Sequence, residues 1–296
     1  MQVLILGGGG MLGHKLVQMW RERFDVWTTL RGNFESVEQF DIFDRQKTIP
    51  AVNAENFDLI LNVFDLVKPK VVINCIGVIK QLPTAKDPLP TLSINSIFPH
   101  RVAKLCRAAN ARFINLSTDC VFSGARGNYL ETDTPDAVDL YGQSKHWGEV
   151  TNENCLTIRT SIIGRELGTA HSLVDWFLSN RGLNQTLKGF TRAIYTGFPT
   201  IVLADILADV IETKTSAQGL WHLSSDPINK FDLLQMINKE FKANLEIEPD
   251  SNFHCDRSLN SEGYRREFNF KPQPWPRMIK QMAEDPTPYD EFQRKW

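Results

Sequence analysis

A run of four glycines, Gly7-Gly8-Gly9-Gly10, follows directly on the apolar stretch Val3-Leu4-Ile5-Leu6, and Gly13 closes the pattern three residues later. This placement constrains the fold more than any other feature of the chain. A buried strand ending at Leu6, a glycine turn, and a helix opening at Met11 and running to Trp20 make the first strand–turn–helix unit of a dinucleotide-binding sheet. The early glycines let the backbone turn tightly and approach a pyrophosphate, whose charge a helix N-terminus favours. Gly13 lets that helix lie close to the sheet. The run fits two spacings, Gly7-x-x-Gly10-x-x-Gly13 and Gly8-x-Gly10-x-x-Gly13.

Strand-like runs then alternate with helical patterns. Residues 26–30, 71–75 and 112–116 are short and apolar, as strands buried on both faces are. Residues 56–67, 92–109 and 140–154 between them have helical spacing. Such alternation predicts a parallel sheet with right-handed crossovers, continued by residues 156–159. A third strand is expected to end at Asp41-Ile42. Beyond Arg159 the regularity weakens: 172–179, 202–212 and 231–241 read as helices and 219–223 as a short strand. The expected fold is a Rossmann-type α/β doubly wound parallel sheet with a smaller C-terminal α/β substrate-binding lobe. Residues 1–160, with 198–225 returning to them, are assigned to the nucleotide domain, and 161–197 with 226–296 to the lobe. Proline-rich text runs over 271–288, and the tail 284–296 is either a loose extension or an arm packed by Tyr289, Phe292 and Trp296.

Composition removes several function classes. At 296 residues the chain buries a large core, as one α/β domain or as a nucleotide domain plus a smaller one. A net charge of −2 carries no footprint for nucleic acid or an anionic membrane. No apolar stretch approaches the ~20 residues of a membrane span, and no basic segment precedes the first strand as in a signal peptide. Cys75, Cys106, Cys120, Cys155 and Cys255 form no Cys-x-x-Cys pair, and the six histidines form no His-Glu-x-x-His. Reduced thiols, a cytoplasmic location and no metal are expected.

Chemistry enters with Tyr141-Gly142-Gln143-Ser144-Lys145 inside a predicted helix. Four residues is just over one turn, so Tyr141 and Lys145 share a face. An ammonium beside a phenol lowers the tyrosine pKa from its usual ~10 and suits it to proton exchange with a carbonyl or carbinol oxygen. Upstream, Ser117 and Thr118 follow the strand 112–116, where sheet ligands bind. Asn95 is placed to brace the lysine through water.

Together, Gly7-x-x-Gly10-x-x-Gly13, Asn95, Ser117-Thr118-Asp119 and Tyr141-Gly142-x-Ser144-Lys145-x-x-Gly148-Glu149 resemble an extended short-chain dehydrogenase/reductase. Residues 117–124, Ser-Thr-Asp-Cys-Val-Phe-Ser-Gly, are similar to the Ser-Thr-Asp-Tyr-Val-Phe-x-Gly of the dTDP-4-dehydrorhamnose reductase family. Arg159-Thr160-Ser161 and Gly197-Phe198-Pro199-Thr200 resemble its later landmarks. The resemblance covers about residues 1–225 and is weak beyond. It implies that Thr118 bonds the substrate carbonyl, that Tyr141 donates the proton, and that Lys145 binds the nicotinamide ribose. It also implies a cofactor pocket of Gly7, Gly10, Met11, Leu12, Gly13, Arg31, Asp41, Ile42, Cys75, Ile76, Gly77, Asn95, Tyr141 and Lys145.

NADPH is the expected cofactor. The second strand ends Thr28-Thr29-Leu30-Arg31-Gly32 with no carboxylate for a ribose 2′-hydroxyl, whereas Arg31 suits a 2′-phosphate; Arg31 also reads simply as a solvated strand end. Cys120 after Asp119 removes the second carboxylate of a 4,6-dehydratase. Lys15 stands where some relatives place a magnesium-binding glutamate, so neither that metal nor that dimer is expected. The partner is a nucleotide sugar, with Ser117, Asp119, Cys120, Arg165, Lys188, Arg192 and Tyr195 as its candidate contacts, and the chain is a monomer or homodimer. Cys120, Val78 and Ile162 replace aromatic residues common in the family, which leaves the sugar open. The leading expectation is a 4-keto-6-deoxysugar reductase. Its alternatives are a bifunctional reductase/epimerase on a UDP-linked sugar and a regulatory subunit resembling the methionine adenosyltransferase β subunit.

Overall fold

Seven parallel strands form the centre of the structure, a computed structural model that describes residues 1–81 and 83–293. In chain order they are β1 (Gln2–Leu6), β2 (Asp25–Thr29), β3 (Thr48–Ile49), β4 (Val71–Asn74), β5 (Arg112–Thr118), β6 (Cys155–Thr160) and, much later, β10 (Gly219–His222). Their spatial order is β3-β2-β1-β4-β5-β6-β10. The helices between are α1 (Met11–Trp20), α2 (Phe57–Val67), α3 (Pro88–Leu92), α4 (Phe98–Ala108) and α5 (Leu140–Trp147). Period-2 alternation along each strand supplies two cores. Val3 and Ile5 pack with Leu16 and Trp20 of α1, whereas Leu4 and Leu6 pack with Ile60 and Phe64 of α2 and Val102 of α4. Helices therefore cover both faces, and the strand order reverses between β1 and β4. Ligands of doubly wound sheets bind beyond the strand ends at that reversal.

The rest of the chain adds β7 (Ile162–Ile163), α6 (Leu173–Ser179), β8 (Thr186–Tyr195), β9 (Phe198–Pro199) and α7 (Thr200–Glu212) before β10. Beyond it come β11 (Ile228–Asn229), α8 (Lys230–Glu240), β12 (Glu246–Asp256), α9 (Glu262–Glu267), α10 (Trp275–Ala283) and α11 (Tyr289–Gln293). β8 runs parallel to β12 and antiparallel to β11 in a separate three-stranded sheet. Trp20 Nε1 of α1 donates to Ala204 O of α7 at 3.0 Å, which ties the chain's second half to its first helix.

Three sequence expectations need correction. No strand ends at Asp41-Ile42: residues 34–40 form two 3₁₀ turns, Asp41 takes a left-handed φ of 52°, and β3 lies at Thr48–Ile49. Phe34, Val37, Phe40 and Ile42 enter the core from this irregular segment, so apolar spacing there reflects burial of a loop. The helix expected over 140–154 stops at Trp147, because Gly148 lies against Asn95 O, only 1.8 Å from where a Cβ would sit. The helix expected over 92–109 carries a π-turn at Ser93–Ile97. The tail is a packed arm, with Tyr289 and Phe292 buried; Trp296 lies outside the described residues.

Candidate active site

Each glycine of the N-terminal turn has a distinct steric reason. Gly7 adopts φ +88°, and its amide donates to Thr29 Oγ1 at 3.1 Å. A Cβ on Gly13 would stand 2.2 Å from Gly7 O, so only glycine lets α1 lie this close to the turn. Gly10 precedes α1 without a side-chain cap, and the first turn holds no acidic residue. The Gly10 amide donates to Gly7 O at 3.2 Å, and the first amides of α1, at Met11 and Leu12, with no local negative charge make a cradle for a pyrophosphate. The residues present fit a dinucleotide. Arg31 is exposed at the end of β2 and forms no ion pair among the described residues.

Across the sheet reversal, Cys75, Ile76 and Gly77 continue from β4. Ile76 N donates to Asn74 Oδ1 at 3.1 Å and Cys75 N to Leu6 O at 2.9 Å. Asn95, in the π-turn, accepts from Val78 N at 2.9 Å and donates to Val78 O and Ser144 Oγ. Its side chain therefore fixes the strap after β4 onto α5, the helix that carries Lys145. π-turns of this kind recur at functional sites.

Helix α5 is docked by two glycines. Gly148 meets Asn95 O, and a Cβ on Gly142 would come 2.2 Å from Cys120 O. Asp139 caps the helix, accepting from Gly142 N at 2.8 Å, and pairs with Lys80 Nζ at 2.7 Å. This seats half-buried Tyr141 beside Thr118, Asp119 and Cys120. Thr118 Oγ1 accepts from Cys120 N at 3.1 Å and donates to Asp119 Oδ1 at 3.1 Å. Removal from water pushes the Tyr141 phenol above its usual pKa, the charges at Cys120, Asp119 and Asp139 add to this, and Thr118 opposes it. The expected lowering by Lys145 is absent, because the lysine Nζ turns instead to Leu116 O at 2.7 Å. Tyr141 is thus a protonated phenol at neutral pH, the form a proton donor needs. Burial also raises the Asp119 carboxyl and takes Cys120 up to about 12.

Burial lowers the Lys145 ammonium to about 8, with Glu149 and Cys75 opposing. The folded chain therefore holds the charge below about pH 8 and releases it above, well before a free lysine would. If the charged form is the one that takes up cofactor, NADPH affinity falls with rising pH, and at pH 9 it should be about tenfold weaker than at pH 7. Fluorescence titration across this range measures it; a flat profile removes Lys145 from cofactor binding.

The other candidate contacts divide sharply. Ser117 points away from Thr118, as neighbours on a strand must, and donates to Glu149 Oε1 at 2.7 Å. Glu149 also receives Arg159 through Nε and Nη2, both at 2.7 Å, so the Ser117 hydroxyl joins a buried ionic network. Arg165 is buried against Asp175 and Asp290, both at 2.5 Å, through Nε and Nη2. Lys188 and Arg192 are exposed on the outer face of β8, Lys188 beside Asp250 at 3.5 Å. Tyr195 has the opposite parity and turns inward, where Asp119 and Cys120 act on its phenol. Arg257, missed in the sequence, donates through Nε to Phe122 O at 2.8 Å and faces Asp119, Cys120 and Asp139. It lies at the end of a bulged strand in the part of weakest resemblance, where no local pattern marks it. Among the described residues no cluster of His, Cys, Asp or Glu is arranged to hold a metal, and no helix is long and apolar enough to cross a membrane.

Comparison with known proteins places these features in a family. Residues 1–287 match the family described as "RmlD substrate binding domain". A probable low-salt glycan biosynthesis reductase of Haloferax volcanii is 26% identical over 241 residues, 76% of this chain and 75% of its own length. The dTDP-4-dehydrorhamnose reductase of Streptomyces griseus is 32% identical over 148 residues, 49% of this chain and 43% of its own. Among solved structures, the dTDP-4-dehydrorhamnose reductase of Bacillus anthracis, in complex with NADP, superposes with a TM-score of 0.77 at 22% identity, covering 95% of this chain and 98% of its own.

Proposed function

The chain belongs to the RmlD substrate binding domain family, and on that premise we propose that it is an NADPH-dependent reductase of the 4-keto group of a nucleotide-linked 4-keto-6-deoxysugar. The observation that carries this reading is Tyr141 seated beside Thr118 at the end of β5, with Lys145 one helical turn on in α5 and a glycine turn shaped for a pyrophosphate. The names of the relatives, two sugar-nucleotide or glycan reductases, support it.

Gly7, Gly10, Met11, Leu12 and Gly13 would hold the pyrophosphate and Arg31 the 2′-phosphate, and Cys75–Gly77 would line the far side of the sheet reversal. When bound, the cofactor supplies the hydride. Lys145 would hold the nicotinamide ribose with its ammonium, which is bonded to Leu116 O in this structure. Thr118 turns its one hydroxyl hydrogen from Asp119 Oδ1 to the substrate carbonyl and so orients it, and the protonated Tyr141 phenol delivers the proton to that oxygen. Burial of the phenol, with Cys120 and Asp119 beside it, keeps its proton in place until a developing alkoxide takes it.

A regulatory subunit would need none of these three side chains. Purified protein should oxidise NADPH when given a dTDP- or UDP-sugar together with a 4,6-dehydratase, and NMR of the product identifies the sugar. NADPH should bind more tightly than NADH, and Arg31→Asp should erase the preference. Failure to turn over any member of such a panel, with NADPH bound, would favour the regulatory reading.

A further inference from the structure

A buried ion pair lies at the end of the helix that carries Tyr141 and Lys145, and no step of the reduction uses it. Glu149 and Arg159 are 6% and 2% exposed in their side chains. The Glu149 carboxylate accepts from Arg159 Nε and Nη2 and from Ser117 Oγ, all at 2.7 Å, and His146 Nδ1 stands 3.1 Å away. Burial works against its charge, but Arg159, Ser117 and His146 together hold the carboxyl below its ordinary value. Arg159 is itself fixed: its guanidinium lies over the Phe122 ring at 5.1 Å, and its Nη1 meets His222 Nε2 of β10 at 3.2 Å. Burial keeps that imidazole neutral against the pull of Glu131. A buried pair of this kind gains a fold little over well-packed apolar residues, so its presence here asks for a further reason.

That reason is where the carboxylate sits relative to Lys145. Helix α5 ends at Trp147, yet Gly148 N still bonds back to Ser144 O at 3.2 Å and Glu149 N to His146 O at 3.0 Å. Glu149 therefore lies one turn beyond Lys145 on the same side. Both are also tied to consecutive residues of β5, just before Thr118: Lys145 Nζ donates to Leu116 O and Ser117 Oγ to Glu149, each at 2.7 Å. Burial takes the lysine down to about 8, and Glu149 and Cys75 oppose it. Burial also pushes the Cys75 thiol up to about 12, so the thiol is uncharged where the lysine titrates. Among the described residues Glu149 is then the one full negative charge acting on the lysine, and Arg159 does not act on it directly.

Resting on the cofactor reading above, we propose that Glu149 is a positioning residue for Lys145: its carboxylate, fixed by Arg159 and Ser117, keeps the ammonium charged and ready for the cofactor at neutral pH. Arg159 and Ser117 serve the reaction through it, by holding one carboxylate a turn away from the lysine.

The test is NADPH binding by the full chain, followed by fluorescence across the pH range in the parent and two variants. Glu149→Gln removes the charge and keeps the shape. Glu149→Gln combined with Arg159→Met removes both charges and leaves neither buried alone. In the parent the affinity should fall with a midpoint near pH 8. In both variants the midpoint should drop by about one unit, so that NADPH binds about fivefold more weakly than to the parent at about pH 8 and equally well at about pH 6. A midpoint that stays or rises overturns the proposal. So does weakening by the same factor at every pH, or failure of both variants to fold, since either makes Glu149 a residue of the fold alone. A flat profile in the parent overturns the Lys145 reading and this proposal together. A parent midpoint near pH 8 that the variants share leaves that reading standing and removes Glu149 alone.

Discussion

Tyr141→Phe should lower turnover about 10²- to 10⁴-fold, the scale of a positioned general acid, while NADPH binds as before. The substitution keeps the ring that α5 lays beside Thr118 and Cys120 and removes only the phenolic oxygen. Its phenol is raised in pKa, so the oxygen carries a proton throughout the neutral range. Nothing else nearby replaces it well. Asp119 is buried and bonded to Thr118 Oγ1, Cys120 is held up to about 12, and Lys145 Nζ is turned to Leu116 O. Thr118→Val, nearly the same shape, should slow turnover without loosening NADPH, because its hydroxyl serves the carbonyl. Stopped-flow and steady-state rates on a 4-keto-6-deoxysugar nucleotide that the parent turns over decide the matter. A Tyr141→Phe protein retaining most of the parent rate would show that another acid operates.

How far the sequence can be read depends on how local each cause is. The glycine turn is legible because its reasons lie within seven residues: Gly7 bends the chain and Gly13 clears Gly7 O. The Tyr141–Lys145 pair is legible because one helical turn sets its geometry. Arg165 is not, since its carboxylate partners stand 10 and 125 residues away and only the fold brings Asp290 to it. Lys188 and Arg192 look like anion ligands as residue types, but β8 puts them on the face opposite Tyr195. The third strand is hidden by its length, two residues, and by the stronger apolar signal of Phe34, Val37, Phe40 and Ile42 before it. Arg257 carries no signal because its position depends on a strand that bulges between Asp250 and His254.

The C-terminal arm sets the second large effect. Asp285→Ala should destabilise the protein by about 3–5 kcal/mol, the cost of leaving a buried charge unpaired. Lys15 and Asp285 are 3% and 7% exposed in their side chains and form an ion pair, so the lysine loses its one charged partner among the described residues, in a site water barely reaches. Asp285 also accepts from Thr287 N and Oγ1, and Gln18 Nε2 donates to Thr287 Oγ1 at 2.8 Å. The next anchor is Tyr289, whose hydroxyl donates to His14 Nε2 at 2.8 Å while His14 Nδ1 donates to Gly10 O at 2.9 Å. Phe292 stacks edge-on against Phe40 at 4.7 Å. The arm therefore clamps both the helix behind the glycine turn and the loop after β2. Loss of NADPH affinity should accompany the loss of stability. Asp290→Asn is the control: Asp290 is 46% exposed, so its removal should cost about 1 kcal/mol or less. Acid tests the same clamp. Burial lowers His14 to about 4, so between pH 6.5 and 4 the unfolded chain binds the proton that the folded chain refuses. Stability must then fall as the pH drops through that window, with buried His222, also near 4, adding to the slope. Chemical denaturation at pH 7 and pH 5 measures both effects, and an Asp285→Ala protein as stable as the parent would mean that the arm rests on α1 without holding it.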